Sequence, residues 1–415
     1  MKWAARKIAA RVTLASLAAL PGIAAALLGV AELLAVAVAL LGVPAARAAD
    51  EAPFTVGVGR SIHDSDTVTQ AGVAAALEWL GVGSVRLDAP WRMIETSPGQ
   101  YAIPRWLDDA VDTARARGVE PLLILAYGHP LHGGDKPRTR EAIDAFSRYA
   151  AFVVAHFENR VRLYDLWNEW DAHTGGTTEG SADDYVALAR AAYPAIKAAN
   201  RNALVLSGGI SSLGLGRGWV ERFVALGGSS YVDGISVHPY NFDAAGASTP
   251  EAAIATLDRV HAALGSSPKP IYVTEMGYPA YTGKGGVSAE AAAADLARFV
   301  LLASTRAYVA GVWWYCLRDQ GTDRANKEHN FGVLDAAFEP KPAAEALRAA
   351  ALLIRQSGRF RDESTGNARR VVATRAGGGE LELHWRDDAA DARLLADLAS
   401  LVPPATAPPI ARGGR

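Results

Sequence analysis

The sequence predicts an α/β protein: a (β/α)8 barrel with a small C-terminal β-hairpin extension, preceded by an N-terminal signal or membrane anchor. Three observations carry this expectation. From Phe54 onward, short apolar or β-branched runs alternate with longer, alanine-rich amphipathic ones. The alternation recurs eight times in about 300 residues, which suits a closed barrel better than an open sheet. The first short run ends in Gly57-Val58-Gly59-Arg60, without the glycine-rich phosphate loop that an open doubly wound sheet ordinarily carries there.

The first 49 residues stand apart from that pattern. Lys2, Arg6, Lys7 and Arg11 precede a stretch from Val12 to Ala46 in which Glu32 is the only charge, and Ala45-Ala46-Arg47-Ala48-Ala49 closes it. A basic start, an apolar middle and an A-x-A end read as a secretory signal. The apolar part is longer than an ordinary signal core and long enough to span a bilayer, so it is either a long cleaved signal or a retained tether. Both readings put the rest of the chain outside the cytoplasm, in the periplasm or beyond, because positive flanks stay inside.

Residues 53–357 form the expected barrel. Its strands are predicted at Phe54–Gly59, Ser84–Asp88, Pro121–Ala126, Val161–Trp167, Leu204–Ser207, Gly234–His238, Ile271–Thr274 and Gly311–Tyr315. Helices are predicted near 67–80, 104–117, 139–158, 181–199, 217–226, 250–264, 288–308 and 341–356. Ser181 and Ser288 are placed as N-caps, and Gly81, Gly118 and Gly265 as C-terminal stops. Residues 358–400 change character: Arg370–Arg375 and Glu380–Trp385 alternate in polarity around Ala376-Gly377-Gly378-Gly379, a hairpin pattern. Residues 401–415 are rich in Pro, Ala and Gly and are expected to be a disordered tail.

Composition narrows the function. Half the 415 residues are hydrophobic and the formal net charge is −2, with no basic cluster outside the N-terminus, so no nucleic-acid partner is expected. Cys316 is the single cysteine, which excludes an intrachain disulfide and a cysteine-rich metal site. It lies in an apolar run and is expected to be buried packing.

In a barrel of this kind, chemistry sits where the strands end. The runs end in Arg86 and Asp88, in Gly128-His129-Pro130, in Trp167-Asn168-Glu169-Trp170, in His238-Pro239-Tyr240, in Glu275 and in Trp313-Trp314-Tyr315. Two glutamates, two histidines, an arginine and several aromatics therefore share one rim. Cleaving a glycosidic bond takes one carboxylic acid to protonate the leaving oxygen and a second carboxylate on the other face. Arg and Tyr beside a carboxylate keep it ionised.

Asn168-Glu169 ending the fourth strand, with Glu275 ending the seventh, resembles the clan A retaining glycoside hydrolases. His238-Pro239-Tyr240 is similar to that clan's His-x-Tyr, Arg86 to its nucleophile-side arginine, and Trp314 (or Trp313) to its platform tryptophan. Arg318-Asp319-Gln320-Gly321 followed by Glu328-His329-Asn330-Phe331-Gly332 resembles family 39-type hydrolases linked to bacterial exopolysaccharides. The resemblance spans roughly residues 54–357. It implies Glu275 as nucleophile, Glu169 as acid/base with a raised pKa, Asn168 on the 2-hydroxyl, Arg86 and Tyr240 on Glu275, His129 and His238 in support, and a carbohydrate substrate. It implies no cofactor and no metal. It does not choose among xylosidases, iduronidases and exopolysaccharide endoglycosidases.

Plainer readings stand beside these. Arg86 could be an ion-pair partner of Asp88 or Asp165, His129 could shape its loop, and His238 could be a satisfied core histidine. His329 and Asn330 could only fix the loop after the eighth strand. Tyr127, Tyr278 and Tyr281 could line subsites or shield the mouth. Asp171 and His173 look like two metal ligands, but no third is spaced for zinc. Two other functions share the same residues or fold. A transglycosylase would differ in water access, and a carbohydrate-binding barrel in polysaccharide export would need no catalysis.

Overall fold

A computed structural model describes residues 54–60, 67–244, 248–266, 268–386 and 392–402. The expected signal or anchor, and the tail beyond residue 402, lie outside these. Each barrel element is present: β1 (Thr55–Gly59), α1 (Thr67–Leu80), β2 (Ser84–Pro90), α2 (Arg105–Arg115), β3 (Glu120–Ala126), α3 (Arg140–His156), β4 (Leu163–Leu166), α4 (Ala182–Ala199), β5 (Leu204–Leu206), α5 (Trp219–Ala225), β6 (Ile235–Val237), α6 (Pro250–Ala263), β7 (Ile271–Met276), α7 (Ala289–Ser304), β8 (Val309–Trp314) and α8 (Pro342–Gln356). The strands run parallel in the order β5-β4-β3-β2-β1-β8-β7-β6. Two isolated bridges, Leu206–Gly234 and Ile210–Val237, join β5 to β6 and close the barrel.

Local chemistry explains the helix ends. The Ser181 and Ser288 hydroxyls accept from the amides of Asp184 and Ala291, each at 3.1 Å. Gly81, Gly118 and Gly265 follow their helices at φ 62°, 69° and 57°, the left-handed region that stops a helix at little cost for glycine. Two short pieces between β2 and α2 were not expected: a helical turn, Trp91–Ile94, and a ribbon pairing Glu95–Ser97 with Gln100–Tyr101.

Two apolar layers hold the barrel. Leu122, Leu163, Leu206 and Trp313 form a small cluster. They come from opposite sides of the sheet, so they meet only across its interior. The Trp313 indole donates to the Ser84 hydroxyl at 2.8 Å, and a Cβ on Gly57 would fall inside that ring. Outside the strands, the larger core packs sheet against helices.

The C-terminal extension is more than a hairpin. β9 (Ser357–Asp362), β10 (Ala368–Arg375) and β11 (Glu380–Arg386) form an antiparallel sheet in that order, followed by α9 (Ala392–Ala399), which buries Leu394 and Leu398. A lone hairpin is marginal in water, and the third strand and helix supply what it lacks. Trp385 ties the sheet to the barrel by donating to Glu251 at 3.0 Å. Glu251 also pairs with the buried Arg298, which reaches Asp295 at 3.4 Å.

Two outcomes follow from this packing. Gly57→Ala should destabilise by about 1–3 kcal/mol, because the added methyl overpacks a ring with nowhere to go; urea unfolding measures it. Burial beside Glu251, only partly opposed by Arg298, raises the Asp295 pKa to about 7. A raised folded-state pKa stabilises below the unfolded carboxylate pKa, and that contribution is lost as pH rises through 7. Asp295→Asn should therefore raise Tm more at pH 8 than at pH 5, and change it little only below about pH 4.

Candidate active site

The C-terminal ends of the strands open on a cleft of about 560 Å³. Backbone irregularities on two strands aim its carboxylates. β7 and β8 fall out of register: Val312 faces Val273, yet Trp314 faces Met276, so β7 carries one extra residue. That bulge lets Thr274 turn into the barrel while Glu275 reaches the cleft. After β4, Trp167 and Glu169 adopt φ 87° and 50°, unfavourable for residues with a Cβ. The Trp167 amide donates to the Leu125 carbonyl at 3.0 Å, and the Glu169 amide to the Gly208 and Gly209 carbonyls at 2.9 and 3.1 Å. These bonds hold the kink that puts the Glu169 carboxylate over the cleft.

One oxygen of Glu169 and one of Glu275 lie within 4.8 Å of each other. A buried chain of polar groups links them beneath the cleft. Glu169 accepts from His238 Nδ1 at 2.9 Å, and His238 Nε2 meets the Thr274 hydroxyl at 3.0 Å. Thr274 bonds Ser236 at 2.6 Å, and Ser236 donates to Asp165 at 3.2 Å. Asp165 lies 3.5 Å from Arg86 Nε, and the Arg86 guanidinium donates to Glu275 and, at 2.6 Å, to Asn168. The Tyr240 hydroxyl donates to the other Glu275 oxygen at 3.1 Å. Because Asn168 Oδ1 accepts from Arg86, its amide nitrogen is left to donate, and among the described residues it has no acceptor.

Charge follows the same chain. Burial alone would lower the Arg86 pKa, but Glu275, Asp165 and Asp88 hold it above its usual value. Burial likewise disfavours charged His238, yet Glu275 and Glu169 raise its pKa. Glu169 shows the reverse balance. Burial pushes its pKa up, but the bond from His238, with help from Thr174 and Arg86, brings it below the usual range. These surroundings favour the charged form of Glu169, opposite to the raised pKa expected of it.

Six of the eight expected residues meet here: Arg86, Asn168, Glu169, His238, Tyr240 and Glu275. Two do not. His129 is buried away from the cleft, where Nε2 meets the Glu95 carbonyl at 2.8 Å and Nδ1 accepts from the Leu131 amide at 3.0 Å, so it shapes its loop. Trp314 faces the helices against Tyr278, because strand alternation sends it opposite to the inward Trp313. The aromatic that eighth-strand alternation delivers to the cleft is Tyr315, beside Phe331 at 5.2 Å between ring centres. Tyr127 lines the opposite wall. Thr174, which donates to Glu169 at 2.8 Å, and Asp165 were not singled out as site residues. Asn330 and His329 fix the loop after β8, and Asp171 is spent on Ser211 and Gly214. The Glu169–His238–Glu275 spacing also resembles a metal triad. Arg86 and His238 already make hydrogen bonds to those carboxylates.

A family model described as cellulase (glycosyl hydrolase family 5) matches residues 49–319. Among solved structures, a family 39 glycoside hydrolase from the gut symbiont Bacteroides cellulosilyticus WH2 is 26% identical, over 82% of this chain and 72% of that one, with TM-score 0.68. A GH5_18 protein from Streptomyces cattleya, in complex with GlcNAc, is 18% identical over 74% and 81%, with TM-score 0.62. A GH39 β-xylosidase from Caulobacter crescentus is 18% identical over 79% of each chain, with TM-score 0.58. No curated protein matches the chain.

The buried charges make a stability test. Arg86→Met strands Asp165 without its cation, and a loss of about 3–5 kcal/mol is expected in urea unfolding. Arg86→Met/Asp165→Asn should recover part of that stability and none of the activity.

Proposed function

The chain belongs to the cellulase family, glycosyl hydrolase family 5, within clan A, and we propose that it is a retaining glycosidase working by double displacement. Its glycosidase activity follows from that membership and from the family 39 likeness. The mechanism rests on one observation above all: the Glu169 and Glu275 carboxylates approach within 4.8 Å across the cleft. That closeness suits the roughly 5–5.5 Å class, in which the second carboxylate attacks, better than the roughly 6.5–9.5 Å class that holds a water.

In this reading Glu275 attacks the anomeric carbon and the bond to the leaving oxygen breaks, giving a covalent glycosyl-enzyme. Glu169 delivers a proton to that oxygen, then takes one from the water that displaces Glu275. Tyr240 and Arg86 orient the nucleophile, and Asn168 offers its amide to a sugar hydroxyl. The cleft has space for more than one sugar ring, and Tyr127, Tyr315 and Phe242 offer faces for stacking. An oligo- or polysaccharide therefore suits it. We also infer that the protein acts outside the cytoplasm, secreted or tethered, from the basic and apolar pattern of residues 1–49; mass spectrometry of the native N-terminus tests this.

Glu275→Gln and Glu169→Gln should each lose on the order of 10³-fold in kcat while keeping Tm. Aryl β-xylosides, β-glucosides and β-mannosides are the first substrates to screen. A 2,4-dinitrophenyl leaving group should partly rescue Glu169→Gln and not Glu275→Gln. Proton NMR should show the first-formed sugar with retained anomeric configuration; an inverted product overturns the two-step mechanism.

A further inference from the structure

Both oxygens of Glu169 accept a hydrogen bond. Oε1 accepts from His238 Nδ1 at 2.9 Å, and Oε2 from the Thr174 hydroxyl at 2.8 Å. A general acid carries its proton on an oxygen that faces the leaving group, and a bond accepted there favours the charged form, so the acid forms more readily where one of these bonds yields. His238 is poorly placed to yield. Its ring is fully buried, its other nitrogen is held by Thr274, and a Cβ on Gly209 would already fall within it. Thr174 is half-buried and lines the cleft, and rotation about one side-chain bond withdraws its hydroxyl.

The backbone around Thr174 is fixed. Lys136 is 4% exposed, and its ammonium donates to the carbonyls of Ala172, Thr174 and Thr178 at 2.9, 3.3 and 2.9 Å. All three of its protons are used on this one loop. Tyr127 packs so closely on Gly175 that a Cβ there would enter its ring. A substrate entering beside Glu169 can therefore move the hydroxyl without moving the loop.

We propose that Thr174 is a resting-state clamp on Glu169, released when the leaving-group part of the substrate enters the cleft and takes its place at Oε2. This rests on the reading of Glu169 as acid/base. The clamp favours the carboxylate, and its removal, together with expulsion of water, favours the acid. Glu169 then takes up one solvent proton, which it passes to the glycosidic oxygen. Glu169 is also faced by His238 and Tyr240 at the end of β6, Arg86 on β2, Glu275 on β7 and Tyr127 after β3. Each of these lies on a strand or close past its end, and among the described residues Thr174 reaches Glu169 from the loop after β4. The low pKa of Glu169 described above belongs, on this view, to the resting site only.

The test compares two pH profiles of Thr174→Val on whichever phenyl β-glycoside (xyloside, glucoside or mannoside) the wild type hydrolyses, since phenol leaves poorly and needs the acid. The profile of kcat/KM reports the free enzyme and that of kcat the complex. The alkaline limb of kcat/KM should move up by roughly one pH unit, the size of one lost hydrogen bond to a charged group. The alkaline limb of kcat should stay where it is, and Thr174→Ser should behave as wild type in both. Equal movement of both limbs would show that the bond survives in the complex and overturn the clamp. Movement of neither would overturn it too. If Glu169→Gln gains nothing from a 2,4-dinitrophenyl leaving group, the acid assignment itself falls, whatever Thr174→Val does.

Discussion

A guanidinium inside a barrel has to be neutralised where it stands, and the site is organised around how this is done for Arg86. Its side chain is almost wholly buried, and three acceptors surround it: Asp165 below, Glu275 above and Asn168 beside. Two carboxylates against one cation leave an excess of negative charge, and His238, whose pKa is raised, faces both Glu275 and Glu169 to offset it. Arginine suits this place because its planar fork can serve three partners from one position, which a lysine ammonium on a flexible stem could not hold as rigidly. Glu275 is thus fixed by the electrostatics of the barrel interior.

The division of labour between the two carboxylates follows from their surroundings. Glu275 is held by Arg86 on β2 and by Tyr240 just past β6, which keeps it aimed. Glu169 is held by a histidine and by one loop hydroxyl. Its environment can therefore change when the cleft fills. Two chemically identical side chains are differentiated by what can move near them.

Much of this was legible from residue order alone. The helices could be read because serine caps and glycine stops mark their ends. The strands could be read because a parallel sheet covered on both faces needs continuous apolar runs. Most of the rim could be read because strand ends point chemistry at one face. Other features left no trace. The bulge at Thr274–Glu275 has no glycine to announce it, and the left-handed Trp167 and Glu169 are residues that rarely adopt that conformation. Thr174 lies eight residues past the end of β4, in a loop whose path is set by Lys136 on another loop. The Trp314 expectation had a signal available. Trp313 fills the interior against Gly57, so period-two alternation carries Tyr315, not Trp314, to the mouth. His129 stood at a strand end like the residues that line the cleft, and only its bonds to Glu95 and Leu131 distinguish it.

The barrel is not equally strong all round. β2 and β3 pair over seven residues, whereas β5 and β6, three residues each, are joined by two isolated bridges. One of those bridges, Ile210–Val237, ends at His238, whose amide donates to the Ile210 carbonyl at 2.8 Å. Local opening takes the path with fewest bonds to break. The seam most prone to breathe therefore runs directly under the histidine that supports Glu169. Warming should expose those amides to exchange with solvent while the β2–β3 wall is still closed, and the enzyme should lose its working geometry before it loses its shape.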